Sequence, residues 1–83
     1  MPSRLVLYAR PDCHLCDEAR AGLERLLAEG VSFELEEVDI DSDDELLKRY
    51  LERIPVVELN GEVVSELWLD ADGLRARIST LSA

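Results

Sequence analysis

Leu5-Val6-Leu7-Tyr8-Ala9-Arg10-Pro11-Asp12-Cys13-His14-Leu15-Cys16 is the stretch that decides the fold. It opens with a continuous apolar run, the mark of a central strand covered on both faces. Arg10-Pro11 breaks the run, and Asp12 stands where a helix cap is wanted. Beyond it Cys16, Ala19, Leu23, Leu26 and Leu27 recur at helical spacing, and Gly30 supplies a stop. A strand therefore hands over to a helix at two cysteines with two residues between them.

Working outward, Phe33 to Ile40 reads as a second strand. Its apolar parity shifts between Leu35 and Val38, so a bulge or a frayed end is expected. Asp43 or Ser42 caps a second helix with Leu46, Leu47, Tyr50 and Leu51 on one face, and Ile54-Pro55 ends it. Two short strands flank Asn60-Gly61, a pair suited to the positive φ angles of a type I′ hairpin, and a two-residue loop there pairs Val57 with Val64. Leu74, Ile78 and Leu81 mark a last helix starting near Asp70 or Asp72. The order β-α-β-α-β-β-α predicts an α/β fold with a four-stranded mixed sheet and three helices. Its first two strands are parallel, joined by a right-handed crossover.

Eighty-three residues, 47% of them apolar, suit a single domain over 1–83 and exclude a disordered or disulfide-dense chain. The longest apolar run is five residues, so no segment spans a bilayer. Met1-Pro2-Ser3-Arg4 has no signal-peptide character, and a cytoplasmic location is expected. The net charge of −10 argues against nucleic acid and anionic membrane as partners. Eight of the acids lie between Glu34 and Glu45. They form either a solvated face or a dock for a basic partner.

Cys13 and Cys16 are the only cysteines. A pair this close closes almost no loop, so it contributes little stability and points to chemistry. The unpaired N–H groups and positive end of a helix favour a thiolate at Cys13, which lowers its pKa below that of a free thiol. Cys16, one turn further and facing the core, reaches back to resolve a mixed disulfide. His14 is either a solvated helix-start residue or a proton source for the leaving thiolate. Arg10 favours the thiolate, whereas Asp12, Asp17 and Glu18 oppose it. Two alternatives are thiols that merely pack and a zinc site on Cys13, Cys16 and His14. Zinc would need further ligands from outside the chain, and no metal site is assigned.

Tyr8 to Cys16 resembles the active-site segment of glutaredoxins, which carry a Tyr, a basic residue and a Pro before Cys-Pro-Tyr-Cys. Ile54-Pro55-Val56 stands where that family has Thr-Val-Pro, and Asn60-Gly61 falls where its hairpin turns. From Leu5 to Leu81 the chain is similar to glutaredoxin-like proteins of the thioredoxin fold, in particular a small bacterial branch with Cys-His-Leu-Cys. The resemblance implies Cys13 as nucleophile, Cys16 as resolving thiol, and Arg10 as partner for a glutathione carboxylate. It also implies a cis Ile54–Pro55 bond beside Cys13, whose free backbone groups at Ile54 would pair with an extended substrate. The other reading of Pro55 is a trans proline opening an edge strand. Ser65-Glu66-Leu67-Trp68 replaces the family's Gly-Gly-acidic segment that holds glutathione. Trp68 either paves a groove beside Cys13 or packs under the last helix.

Together these readings predict a thiol–disulfide oxidoreductase without a tightly bound cofactor, acting as a monomer on protein or small-molecule disulfides. Glutathione or a thioredoxin reductase would be its reductant. The alternatives are a metal or iron–sulfur carrier and a redox-gated binding module.

Overall fold

The apolar alternation of the first strand sets the two layers of packing. In a computed structural model, which describes residues 3–82, β1 runs Ser3–Ala9, α1 His14–Ala28, β2 Phe33–Asp39, α2 Asp44–Tyr50, β3 Val56–Leu59, β4 Glu62–Glu66 and α3 Ala71–Ser82. A short 3-10 turn, Ile40–Ser42, links β2 to α2. The reading of Met1–Arg4 lies partly outside the described residues.

The sheet order is β2-β1-β3-β4, with β1 parallel to β2 and both other pairings antiparallel. This is the expected α/β architecture, a four-stranded mixed sheet with three helices. Leu5, Leu7 and Ala9 point to a core closed by Cys16, Ala19, Leu23 and Leu26 of α1, Leu74 and Ile78 of α3, and Val57 and Leu59 of β3. The other face of the sheet is covered more thinly: Ile40, Tyr50 and Val56 form a small cluster that Tyr8 joins. β1 is therefore not fully covered on both faces. Val6 and Tyr8 stay half-buried, because seven-residue α2 and one 3-10 turn are all that is packed there.

Local signals account for the ends of most elements. Gly30 sits at φ +97° and closes α1 with a Schellman arrangement. Val31 N–H donates to Leu26 O and Gly30 N–H to Leu27 O, each at 3.0 Å. Asn60 and Gly61 adopt φ of 52° and 89°, as a type I′ turn demands. Asp43 caps α2 through Glu45 N–H, and Asp70 accepts from Gly73 N–H at the start of α3.

Four local expectations are corrected. Asp12 does not cap α1: it turns the chain at φ +60°, which moves the cap one residue on, to Cys13. β2 ends at Asp39, and Ile40 is buried in the 3-10 turn. The β1–β2 register runs unbroken through Asp39, so the parity shift marks neither a bulge nor a frayed end: Leu35 and Val38 lie on opposite faces of one regular strand, and Leu35 joins the main core. The bulge lies instead in the hairpin: Val57 pairs with Ser65, so Val64 is the extra residue. Finally, the apolar stripes are narrower than read, since Leu27, Leu51 and Leu81 are exposed.

Candidate active site

The register gathers the site at one end of the sheet. β1 ends at Ala9 and runs into Cys13, while the pairing Tyr8–Val56 sets the start of β3, and hence Ile54-Pro55, alongside. Val56 also pairs with Glu66, so β4 ends there too, and Ala9–Asp39 brings the end of β2 to the same rim.

Cys13 is the N-cap of α1. Its sulfur accepts a hydrogen bond from Cys16 N–H at 3.2 Å, and its carbonyl accepts the first helical bond from Asp17 N–H at 3.0 Å. A sulfur in this position meets the unpaired donors and the positive end of the helix dipole together. The two cysteines are joined as a disulfide with Cα atoms 5.2 Å apart. Cys16 is fully buried, whereas Cys13 is half-buried at the edge of the core. The partner sulfur is therefore protected and the cap sulfur is the one near solvent.

Several charges around the pair are matched within the chain. The exposed imidazole of His14 lies 3.2 Å from the Glu18 carboxylate, one turn along α1. Arg10 Nε lies 3.0 Å from Asp41 Oδ1, an ionic approach without the alignment of a hydrogen bond. Arg20 bridges Asp17 and Glu37. Those hydrogen bonds, Glu37 first, hold its guanidinium well above the usual range. Two of the acids expected to oppose a Cys13 thiolate, Asp17 and Glu18, thus have cationic or protonatable partners of their own.

The Ile54–Pro55 bond is cis and Pro55 is fully buried. Ile54 packs against both core clusters, sharing one of them with Cys13. One expectation fails here: the backbone at Ile54 is not wholly free. Its N–H donates to Tyr50 O at 3.0 Å. Ser65 is half-buried opposite Val57. Glu66 turns onto Arg53, whose guanidinium also lies 5.1 Å from the Tyr50 ring centroid. The hydrogen bond lowers the Glu66 pKa and raises that of Arg53. Leu67, at φ +69°, donates its N–H to both Arg53 O and Pro55 O at 3.0 Å, so this segment is tied to the cis-proline loop.

Trp68 is 65% exposed and does not pack under α3. It lines a cleft of about 180 Å³ with Leu15, Ala19 and Gly22 of α1 and with Leu69. A larger cleft, about 430 Å³, lies between the hairpin and α3 and is lined by neither cysteine. Among the described residues no group of three or more His, Cys, Asp or Glu side chains converges as metal ligands, and no helix is long and apolar enough to cross a membrane.

Sequence reasoning missed Arg53, Leu15 and Leu67. Leu15 carried a signal in being off the apolar stripe of α1. Arg53 carried none, because its partner is thirteen residues away.

The comparisons agree with the geometry. Residues 4–79 match the model of the Glutaredoxin-like domain (DUF836). Protein Ne2328 from Nitrosomonas europaea is similar at 37% identity, with 93% of this chain and 92% of that one covered and a TM-score of 0.77. A structural-genomics target protein from X. campestris is similar at 36% identity, covering 92% and 96%, with a TM-score of 0.74. A mutant thioredoxin from Halobacterium salinarum matches at 26% identity over 98% of this chain and 75% of that one, with a TM-score of 0.70. No curated protein sequence matches. A Cys-x-x-Cys pair joined at a helix start, on a sheet of this order, supports redox function in general, and the chain belongs to the glutaredoxin-like domain family of the thioredoxin superfamily.

Proposed function

We propose that the protein is a thiol–disulfide oxidoreductase in which Cys13 is the nucleophile and Cys16 the resolving thiol. The observation that carries this reading is the Cys13 sulfur as the cap of α1, half-buried, bonded to a fully buried Cys16. In the reduced protein, the Cys13 thiolate attacks one sulfur of a substrate disulfide. A Cys13–substrate bond forms, and the substrate's other sulfur leaves as a thiolate that takes a proton from water. Cys16 then loses its proton and attacks the Cys13 sulfur. The Cys13–Cys16 bond forms and the second substrate thiolate departs. The departing thiolate takes up the proton that Cys16 released, so the substrate gains two electrons and two protons, the cysteine pair supplying both electrons and one proton and water the other.

The Cys16 N–H directed at the Cys13 sulfur is a donor that an anionic sulfur there would use, which supports Cys13 as the attacking group. Exchange of this kind needs no tightly bound cofactor. A small thiol or a dithiol reductase closes the cycle, and the cytosol, where such reductants are held, is the compartment we assign.

The test is mass spectrometry of the reduced protein mixed with a model disulfide. Wild type ends as the internal disulfide, Cys16→Ser accumulates an adduct at Cys13, and Cys13→Ser does neither. Full exchange by Cys13→Ser would overturn the assignment.

A further inference from the structure

Three arginines at the redox end of the sheet are engaged by carboxylates of this chain. Arg10 meets Asp41, Arg20 meets Asp17 and Glu37, and Arg53, one residue before Ile54–Pro55, meets Glu66. A substrate carboxylate approaching Cys13 therefore finds these cations occupied. It also enters the field of a chain with net charge −10.

The uncharged surface beside the pair is apolar and open. Leu15, which lies between the two cysteines in sequence, is 48% exposed, Leu67 50% and Trp68 65%. Leu15 and Trp68 wall the same cleft, whose charged lining is one acid and one base, Glu18 and Arg25. The segment that turns Glu66 onto Arg53 is the one that leaves Leu67 and Trp68 outside, and the Leu67 N–H bonds to Arg53 O and Pro55 O fix it there. One local conformation thus covers a cation and presents a hydrophobic wall.

Building on the exchange reaction above, we propose that Glu66 is a specificity-determining residue, standing on Arg53 in place of a substrate carboxylate. The site thereby takes disulfides of polypeptide segments that carry an apolar side chain next to the cysteine and basic flanks, and it turns away anionic thiol compounds. Glutathione disulfide, with more carboxylates than amines, belongs to the disfavoured class. The covalent steps are those given above. Selection acts on how fast the substrate disulfide reaches the Cys13 thiolate.

The experiment is single-turnover exchange with protein reduced and freed of reductant, read by mass. The probes are the symmetric disulfides of blocked Leu-Cys-Lys, Ser-Cys-Lys and Leu-Cys-Glu tripeptides, and glutathione disulfide. Wild type is expected to react at least about ten-fold faster with the Leu-Cys-Lys probe than with the Leu-Cys-Glu probe or glutathione disulfide, a ratio that shrinks as salt is added. Glu66→Gln, which frees Arg53 with little change of shape, raises the rates on the two anionic probes about three- to ten-fold. Trp68→Ser removes most of the preference for Leu-Cys-Lys over Ser-Cys-Lys and leaves the salt dependence unchanged.

Equal wild-type rates on the Lys and Glu probes, or a Glu66→Gln variant with unchanged selectivity, would overturn the proposal while leaving the exchange reaction standing. A reduced protein inert toward all four probes would instead overturn the exchange reaction, and this inference with it.

Discussion

Removing one hydroxyl, in Tyr8→Phe, probes the thin face of the sheet in a way that pH can amplify. Tyr8 donates to Glu58 Oε1 at 3.1 Å and Tyr50 donates to Glu58 Oε2 at 3.3 Å, with the two rings 4.8 Å apart. At neutral pH the variant loses a hydrogen bond to a carboxylate. Tyr50 continues to satisfy Glu58, so the loss is about 1–2 kcal/mol.

The second effect comes from titration. Burial, followed by the Glu58 charge, pushes the Tyr8 hydroxyl from 10.0 up to about 12. As pH rises through 10, the unfolded chain gives up this proton while the folded chain keeps it. Folding then binds more protons than unfolding, so stability falls across that window. Phe cannot titrate, so the variant escapes this loss. The gap between wild type and Tyr8→Phe is therefore expected to narrow by roughly 1 kcal/mol between pH 8 and about pH 11. Urea unfolding of the oxidised proteins, followed by far-ultraviolet circular dichroism at each pH, measures it. A gap that stays constant to pH 11 would refute the raised pKa of the Tyr8 hydroxyl.

Three further outcomes follow from packing and capping. Gly22→Ala places a Cβ 2.6 Å from the tip of Leu69, a flexible side chain; the helix-propensity gain of about 1 kcal/mol offsets the shift. Stability should stay within about 1 kcal/mol of wild type, while the fluorescence of Trp68, in the same cleft, changes; a urea-measured loss above about 2 kcal/mol would mean Leu69 is locked. Asp70→Ala removes the acceptor for Gly73 N–H at 3.0 Å and should cost about 1 kcal/mol in the same titration. Leu23→Ala empties a site of 0% exposure between α1 and the sheet, and a loss of about 2–5 kcal/mol is expected; a loss below about 1 kcal/mol would contradict its place in the core.

What could be read from the chain was whatever a few neighbouring residues enforce. Gly30 and Asn60-Gly61 demand positive φ, so the end of α1 and the hairpin turn fell where expected. The spacing of Cys13 and Cys16 at a strand-to-helix junction was equally local, and the pair is joined there. The cis bond at Pro55 came from family resemblance, since a Pro in sequence does not declare its isomer. The cap of α1 was misplaced by one residue because nothing in Pro11-Asp12 announces a left-handed Asp12. Val64 slipped out of register because a bulge leaves the same alternation of apolar residues on paper. The pairing of Arg53 with Glu66, and of Arg10 with Asp41, was illegible: each joins residues that only the assembled sheet brings together.

The order β2-β1-β3-β4 leaves β2 as a rim strand with unmatched backbone donors and acceptors along one side. Bare rims of this kind recruit other strands and seed fibrous growth. Here the rim carries Glu34, Glu36, Glu37 and Asp39 within seven residues. A second copy laid alongside would stack like charges at the interstrand distance of about 4.8 Å. Glu36 and Glu37 are matched by Arg4 and Arg20, so Glu34 and Asp39 are the acids left to repel a second copy, a sparse fence along one of the two open edges of the sheet.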